Sequence, residues 1–547
     1  RQMCIRDRAF CAPLWEFRAD RAAMPLAALC WDGGVAAAAV EPYSESEAGI
    51  IRNGVFAALP DAFGISLGYT NDPTTFKNRS TSAPSTRSMA CKAQTSGRIY
   101  LHSGPRTELH EIIRQEYARH QDRAVPRNTL RQAVQGMLDT FAYQNFDAAA
   151  GEYTNRCCRP PRETEMRPWR LVTEIGWTGG GVLAYPLVLC RDALGADAEA
   201  PLAAAMSGEQ LFDRIADAYN ENSGLLNDLM TPNAAGSQVN GWWTGYGLVK
   251  DCHCAYTVGS AVHYLTKTMD YLHQNGKSCP AKWMDAAQKV LHTVMDLQRA
   301  DGAFGYTYST QERKVLDWSG FAGCWFAPAL VYLYRLTGEE RCLHSAEKAL
   351  DYYHTFVKDL NCYGTPMDTW KAVDEEGNLA FMRGSRLLYE QTGKAEFLQY
   401  MKDSAGYEFL WRYGYKTYPE HTPLNQGWSA CGGTVTSVSN PHIHPMGVII
   451  DTDLRYLARV TGDGYYASRA ADSAAWMLQC LELYPAATGY GRYGILSERW
   501  CPSDGLDVER FSDGRPFSSW FSHNLWASAC VLEAACELLL EIEHKKG

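Results

Sequence analysis

The chain has 547 residues, and 46% of them are hydrophobic, which is ample for a large core. A charged fraction of 21% and a formal net charge of −10 exclude the basic footprint of a nucleic-acid or anionic-membrane partner. No apolar run reaches the ~18 residues of a membrane span.

Residues 1–8, "RQMCIRDR", read as the translation of a transposon-type sequencing adapter and are set aside from fold reasoning. The chain is then expected to be truncated at its start, with any signal peptide lost. Residues 9–105 lack helical periodicity and are rich in Gly, Ser, Thr and Pro; they are expected to be short strands, a partial β-sandwich-like domain. Residues 106–127, with "TELHEIIRQEYARHQDRAVP", read as a linker helix.

From residue 128 to 547 long helical patterns take over. The predicted helices are 128–145, 178–194, 207–220, 254–275, 280–300, 321–337, 340–358, 376–392, 394–412, 445–461, 465–482 and 519–543. Three pieces repeat one another: "YLYRLTGEERCLHSAEKAL", "LLYEQTGKAEFLQYMKDSA" and "YLARVTGDGYYASRAADSA". Each is an apolar helix end, then Thr-Gly, then a second amphipathic helix. Gly338, Gly393 and Gly462 suit the left-handed position that closes a helix. Long connections alternate with short ones. Antiparallel hairpins then place all the long loops on one face. The pattern predicts a mainly α fold, an (α/α)6 toroid of six helical hairpins behind a truncated β-rich segment, with the loop-rich face functional.

With the Thr-Gly hairpins, with "LQRADGAFGY" (Leu297 to Tyr306) and with acid- and aromatic-rich long loops, the chain from Asn128 onward resembles the six-hairpin glycosidases, (α/α)6-barrel enzymes of carbohydrate metabolism. The resemblance implies a carbohydrate substrate and, in several such families, an N-terminal β-sandwich. "QRADGAFG" also occurs in other toroids, and no catalytic motif transfers residue by residue.

The long loops carry the candidate chemistry. Loop one has Arg170, Glu174 and Trp177; loop two has Trp242, Trp243, Asp251 and His253; loop three has Asp317 and Trp318; loop four has Asp368 and Trp370. Loop six has Arg492, Glu498, Arg499, Trp500 and Asp504, followed by Trp520 and His523. Carboxylates suit glycosidic bond cleavage and indoles suit stacking on sugar faces; with 16 Trp and 31 Tyr, a large core is the competing use of the rings. Glu174, Asp251, Asp317 and Glu498 are the candidate catalytic acids. The Arg, Trp and loop residues beside them, together with His253 and His523, are the candidate substrate contacts. Each acid also has a structural reading. Asp251, Asp317 and Asp374 stand where helix N-caps stand, and Glu174 and Glu498 are placed to pair with Arg170 and Arg499.

"DCHC" (Asp251 to Cys254) has no second ligand pair apart from "NRCC" at Asn155 to Cys158, so neither metal nor cofactor is expected. "DTD" (Asp451 to Asp453) is read as buried, ion-paired acid. Loop five ends in "SNPHIHPMG", Ser439 to Gly447. Pro445 suits the first turn of the next helix, and Pro441 favours an extended Asn440. His442 and His444, two apart in extended chain, then point the same way. They are candidates for substrate binding or proton transfer, with structural hydrogen bonding as the alternative.

Three readings of function from different chemistry stand. A glycoside hydrolase, expected to invert configuration, needs two carboxylates; Arg170, Arg492 and Arg499 would suit a uronic acid. A lyase or epimerase would use Tyr and His, and a third reading is a non-catalytic glycan-binding toroid. The 18 Cys, mostly inside apolar segments, suggest free thiols in a reducing, cytoplasmic setting. The oligomeric state is open.

Overall fold

The structure, a computed structural model, describes residues 15–545 except 47–48, 53, 59–62, 67–74, 77–78, 81–95, 121–122, 159–165, 177–178, 229–240, 245–246, 251, 366–370, 439, 484–492, 503–513 and 521.

Twelve helices among the described residues build the body of the molecule. They are α1 (Leu130–Thr140), α2 (Gly180–Leu194), α3 (Gly208–Asp217), α4 (Ala255–Gln274), α5 (Ala281–Asp296), α6 (Phe326–Thr337), α7 (Glu340–Lys358), α8 (Glu376–Thr392), α9 (Ala395–Glu408), α10 (Asp451–Thr461), α11 (Gly464–Cys480) and α12 (Leu525–His544). Patterning separates them into two rings. In α5 the buried positions Trp283, Ala286, Ala287, Val290, Leu291 and Val294 form a stripe, widened at the last turn by Thr293 and Met295, as on a helix with one face in solvent. In α4 nearly every residue from Ala255 to Asp270 is buried, as on a helix covered all round. The even-numbered helices form the inner ring. Each packs on the next, α10 doing so largely through the Met446–Ile450 turn that leads into it, and α12 returns to α2. The fold is therefore a closed (α/α)6 toroid, as the loop alternation predicts.

The Thr-Gly repeats explain the tight hairpins. Gly338, Gly393 and Gly462 have φ of 74°, 65° and 71° and end α6, α8 and α10 in the left-handed region. The Thr before each works in two directions. Thr337, Thr392 and Thr461 donate to the carbonyls of Leu333, Leu388 and Leu457 at 2.8, 2.8 and 2.6 Å. The same hydroxyls accept from the N–H of Glu339, Lys394 and Asp463 at 3.2–3.3 Å. Capping boxes at Thr129–Gln132 and Ser207–Gln210 start α1 and α3.

Strands decorate the ring. Near the N-terminus β1 (Leu26–Trp31), β2 (Gly34–Val40) and β3 (Gly97–Ser103) form an antiparallel sheet in the order β3-β2-β1, and the helix Glu108–His120 packs on β2. In the long connections lie β4 (Glu152–Cys157), β5 (Arg167–Leu171), β6 (Cys252–Cys254), β7 (Thr307–Ser309), β8 (Val315–Asp317), β9 (Thr434–Ser437), β10 (Asn440–His444) and β11 (Ser522–His523). β4 pairs with both β5 and β11, β6-β7-β8 form a small sheet, and β9 pairs with β10. The N-terminal region is pinned to the long connection before α10. Tyr415 Oη donates to the carbonyl of Ala22 at 2.9 Å, and Gly414 N–H to that of Ala23 at 3.1 Å.

Candidate active site

The long connections enter the inner helices at their N-termini, so all six positive helix ends face one side, the mouth of the ring. Negative charge is favoured there. At the start of α8 the sequence places three successive acids, Asp374, Glu375 and Glu376, all buried.

Each acid is held differently. Asp374 is the cap. Its Oδ1 accepts from Gly377 N–H at 3.3 Å and its Oδ2 from Thr365 N–H at 3.1 Å. Burial nevertheless pushes its pKa up to about 8, against the pull of those backbone donors. Glu376 accepts from Tyr256 Oη at 2.6 Å, and Tyr256 also lies 3.2 Å from Met446 Sδ. In the inner ring α4 and α8 are separated by α6, and α4 stands opposite α10. These contacts therefore reach across the mouth.

Glu375 is wholly buried, and neither of its oxygens has a hydrogen-bond partner among the described residues. The nearby guanidinium is already engaged. Arg412 Nη2 donates to Glu408 Oε1 at 2.9 Å and to the Gly447 carbonyl at 2.7 Å, and its Nη1 to Asp451 Oδ1 at 2.7 Å. Burial first, then the neighbouring Glu408 and Glu376, push the Glu375 carboxyl well above the usual carboxylate range. The direction of this shift favours the protonated form beside Glu376. Gly447 makes room for it: a Cβ there would come within 2.9 Å of Glu375 Oε1 and 2.4 Å of Thr434 Oγ1.

The other wall of the mouth joins β10 to the chain before α12. Ile443 and Trp500 exchange backbone hydrogen bonds at 2.9 and 3.0 Å. This puts Glu498 and Arg499 beside the histidine strand. His442 and His444 are both buried. His444 Nδ1 donates to the His442 carbonyl at 2.9 Å, which leaves Nε2 as the lone-pair nitrogen of a neutral ring. Burial and the Arg499 charge drop its pKa to about 3, so the ring stays neutral at ordinary pH. Its plane stacks near Trp526, at 18° and 6.3 Å between centroids. The half-buried Glu498 accepts from the side-chain amide of Asn524, the residue that opens α12.

The remaining candidates scatter. Glu174 is half-buried in the loop before α2, where its carbonyl accepts from Gly180 N–H at 2.6 Å. Asp317 ends β8, 39% exposed, paired with Lys371 Nζ at 2.5 Å and accepting from Ser319 N–H at 2.8 Å. Trp318 lies under the Arg299 guanidinium at 5.2 Å, and Trp520 under that of Arg499 at 3.2 Å from the ring centre. Trp500 is buried edge-on against Trp476 at 5.2 Å, a wall rather than a platform. His523 is buried, with Nε2 2.7 Å from Ser528 Oγ, and burial takes its pKa to about 3. His253 is buried between Ser223 and Asp228. Trp177, Asp251, Asp368, Trp370, Arg492 and Asp504 lie outside the described residues, as do the side chains of Arg170, Trp242 and Trp243.

Among the described residues no group of three or more His, Cys, Asp and Glu is arranged to hold a metal ion. Asp451 and Asp453 of "DTD" are ion-paired, Asp451 with Arg412 and Asp453 with Arg383 at 2.8 Å. The sequence reading passed over Glu375, Glu376 and Tyr256. Three acids in succession at a helix start were the available signal for the first two. Tyr256 had none, because its partner is 120 residues away.

No family model matches the sequence, and no curated protein matches it. Among solved structures, the chain is similar to a family 76 glycoside hydrolase (mannosidase) from Bacteroides thetaiotaomicron VPI-5482, at 14% identity over 76% of this chain and 98% of that one, with a TM-score of 0.46. It is similar to a cellobiose 2-epimerase from Bacillus thermoamylovorans, at 11% identity over 75% of this chain and 98% of that one, with a TM-score of 0.48. It is also similar to a variant of the unsaturated glucuronyl hydrolase from Streptococcus agalactiae, at 13% identity over 78% of this chain and 95% of that one, with a TM-score of 0.44.

Proposed function

We propose that the protein is a carbohydrate-active enzyme, a glycoside hydrolase that cleaves an oligo- or polysaccharide by carboxylate general acid/base catalysis. The observation that carries this reading is the acid pair at the mouth, a buried Glu375 beside a Glu376 held by Tyr256 from across the ring. Two adjacent carboxyls share a site without mutual repulsion when one keeps its proton. Glu376 is then the base that takes a proton from the attacking water. A second acid, Glu498, beside the histidine strand, gives a proton to the glycosidic oxygen as the bond to the leaving sugar breaks. Glu174, Asp251 and Asp317 stay in the candidate set from their places in other loops. Arg499, stacked on Trp520, offers a guanidinium beside an indole, which suits a uronic acid residue.

A second reading rests on His444. A neutral ring with Nδ1–H fixed to a carbonyl presents its other nitrogen as a base, which an epimerase or a lyase requires. One assay separates the readings: oligosaccharides are incubated with the protein while reducing sugar, ultraviolet absorbance of unsaturated product, and epimer composition are followed. New reducing ends without absorbance support the hydrolase. Absorbance supports the lyase, and a changed epimer ratio without cleavage supports the epimerase.

A further inference from the structure

The histidine of "DCHC" forms a chain of contacts that the reading above leaves unused. His253 Nδ1 lies 3.3 Å from Asp228 Oδ2, and its Nε2 lies 3.0 Å from Ser223 Oγ. Ser223 Oγ in turn accepts from Leu225 N–H at 3.2 Å. A carboxylate only accepts, so Nδ1 carries the proton toward Asp228. In the neutral ring Ser223 then donates to Nε2. The order Ser–His–Asp is that of a nucleophilic triad, but exposures of 1%, 0% and 2% leave no path for a substrate to the hydroxyl.

What these three residues touch points to a different role. His253 is the middle of β6, which runs directly into α4, and Tyr256 is the second residue of that helix. β6 is held on its other side by β7, where His253 faces Tyr308 and Ala255 N–H donates to the Tyr306 carbonyl at 2.9 Å. Asp228 reaches a second part of the mouth through its backbone: its carbonyl accepts from Ile175 N–H at 3.2 Å, next to Glu174. Gly176 then lies flat on the first turn of α4, where a Cβ would come within 2.5 Å of the Thr257 carbonyl. One buried imidazole thus ties together the turn that carries Ser223 and Asp228, the Glu174 loop and the helix start that carries Tyr256.

We propose that His253 is a positioning residue: by bridging Ser223 and Asp228 it fixes the first turn of α4 against the Glu174 loop, and so sets Tyr256 at hydrogen-bonding distance from Glu376 across the ring. The inference rests on Glu376 acting in turnover, as argued above. An offset of about 1 Å in a reacting group costs on the order of 10²-fold in rate without weakening ground-state binding to match.

The test uses the full chain and the oligosaccharide found in the assay above, at temperatures well below each variant's melting point. His253→Ala is expected to lower kcat by on the order of 10²-fold with KM nearly unchanged. His253→Asn, whose amide N–H can take the place of Nδ1 toward Asp228, is expected to recover most of the loss. Ser223→Ala removes one anchor without emptying the site and should give a smaller fall in the same parameter. It also serves as the readout where His253→Ala does not fold. Glu376→Gln is measured alongside. If Glu376→Gln keeps full turnover, the assignment of the mouth acids fails. If Glu376→Gln is inactive while His253→Ala and Ser223→Ala keep the wild-type kcat, or change only the melting temperature, the positioning role fails.

Discussion

Tyr256 and Glu376 meet at 2.6 Å from helices that are not neighbours in the ring. Their hydrogen bond exists only because the toroid closes, and it marks the place where the closed ring becomes a site. Substitution here should separate chemistry from folding. Glu376→Gln is expected to lower turnover by about 10²–10⁴-fold, the usual worth of a general acid or base. Tyr256→Phe should cost less, and both proteins should remain folded by circular dichroism. Full turnover by Glu376→Gln on a confirmed substrate would move catalysis to Glu174, Glu498, Asp317 or Asp251.

The neutral Glu375 should announce itself in stability. Its pKa is raised from the ordinary 4.5, so above that pH the unfolded chain gives up a proton that the folded chain keeps. Stability from this group is full below 4.5 and is lost as pH rises toward the folded value, at about 1.4 kcal/mol per pH unit. Glu375→Gln should therefore melt higher than the parent, by a margin that grows with pH from that value upward. A margin that does not change with pH would show that Glu375 is ionised in the fold.

The buried histidines act in the opposite direction. His444 and His523 are lowered from 6.5 to about 3 and His110 to about 4, in each case first of all by burial. Below 6.5 the unfolded chain takes up protons that the folded chain refuses, so stability falls as pH drops toward those values. Urea titrations at stepped pH should show this loss, and His444→Gln should remove one proton's share of it. The same shift predicts that His444 adds no limb to the activity profile between about pH 5 and 8. A limb in that range that vanished in His444→Gln would contradict the geometry.

The Thr-Gly hairpins make a test of the fold away from the mouth. Thr392→Val removes a hydroxyl that both donates and accepts, and should cost about 1 kcal/mol by calorimetry. Gly393→Ala places a Cβ at φ of 65° and should cost about 1–2 kcal/mol. Turnover should be unchanged in both. Loss of activity without loss of stability would mean that this end of the ring communicates with the mouth.

The helices were legible in the sequence because each carries its own local signal. The apolar stripe of α5, the apolar-rich first turns of α4 and the Thr-Gly junctions are patterns of period 3.6 and of left-handed closure, readable within about 20 residues. The site was less legible. His442 and His444 could be placed on a strand from their two prolines, yet the pairing of that strand with Trp500 has no local trace. Asp374 invited the cap reading that its contacts display, and in doing so it drew attention from Glu375 and Glu376 directly after it. "DCHC" has the look of metal ligation, while the contacts of His253 come from the turn at Ser223 to Asp228, which no ligand spacing would suggest.

Ring closure also has a consequence for how the chain is made. The seam lies between α2 and α12, where Cys190 and Cys536 approach to 3.9 Å between sulfurs at a sequence separation of 346. During synthesis α2 must wait with one flank uncovered until α12, with Cys536 at a separation of 346 from Cys190, has been translated. At the usual ~5–20 residues per second that delay is on the order of tens of seconds. A nascent chain stalled before Leu525 would lack the helix that fills the gap between α2 and α10, and both of those flanks would stay uncovered. Polysomes carrying such stalled chains are where this protein should be most prone to associate through those apolar flanks.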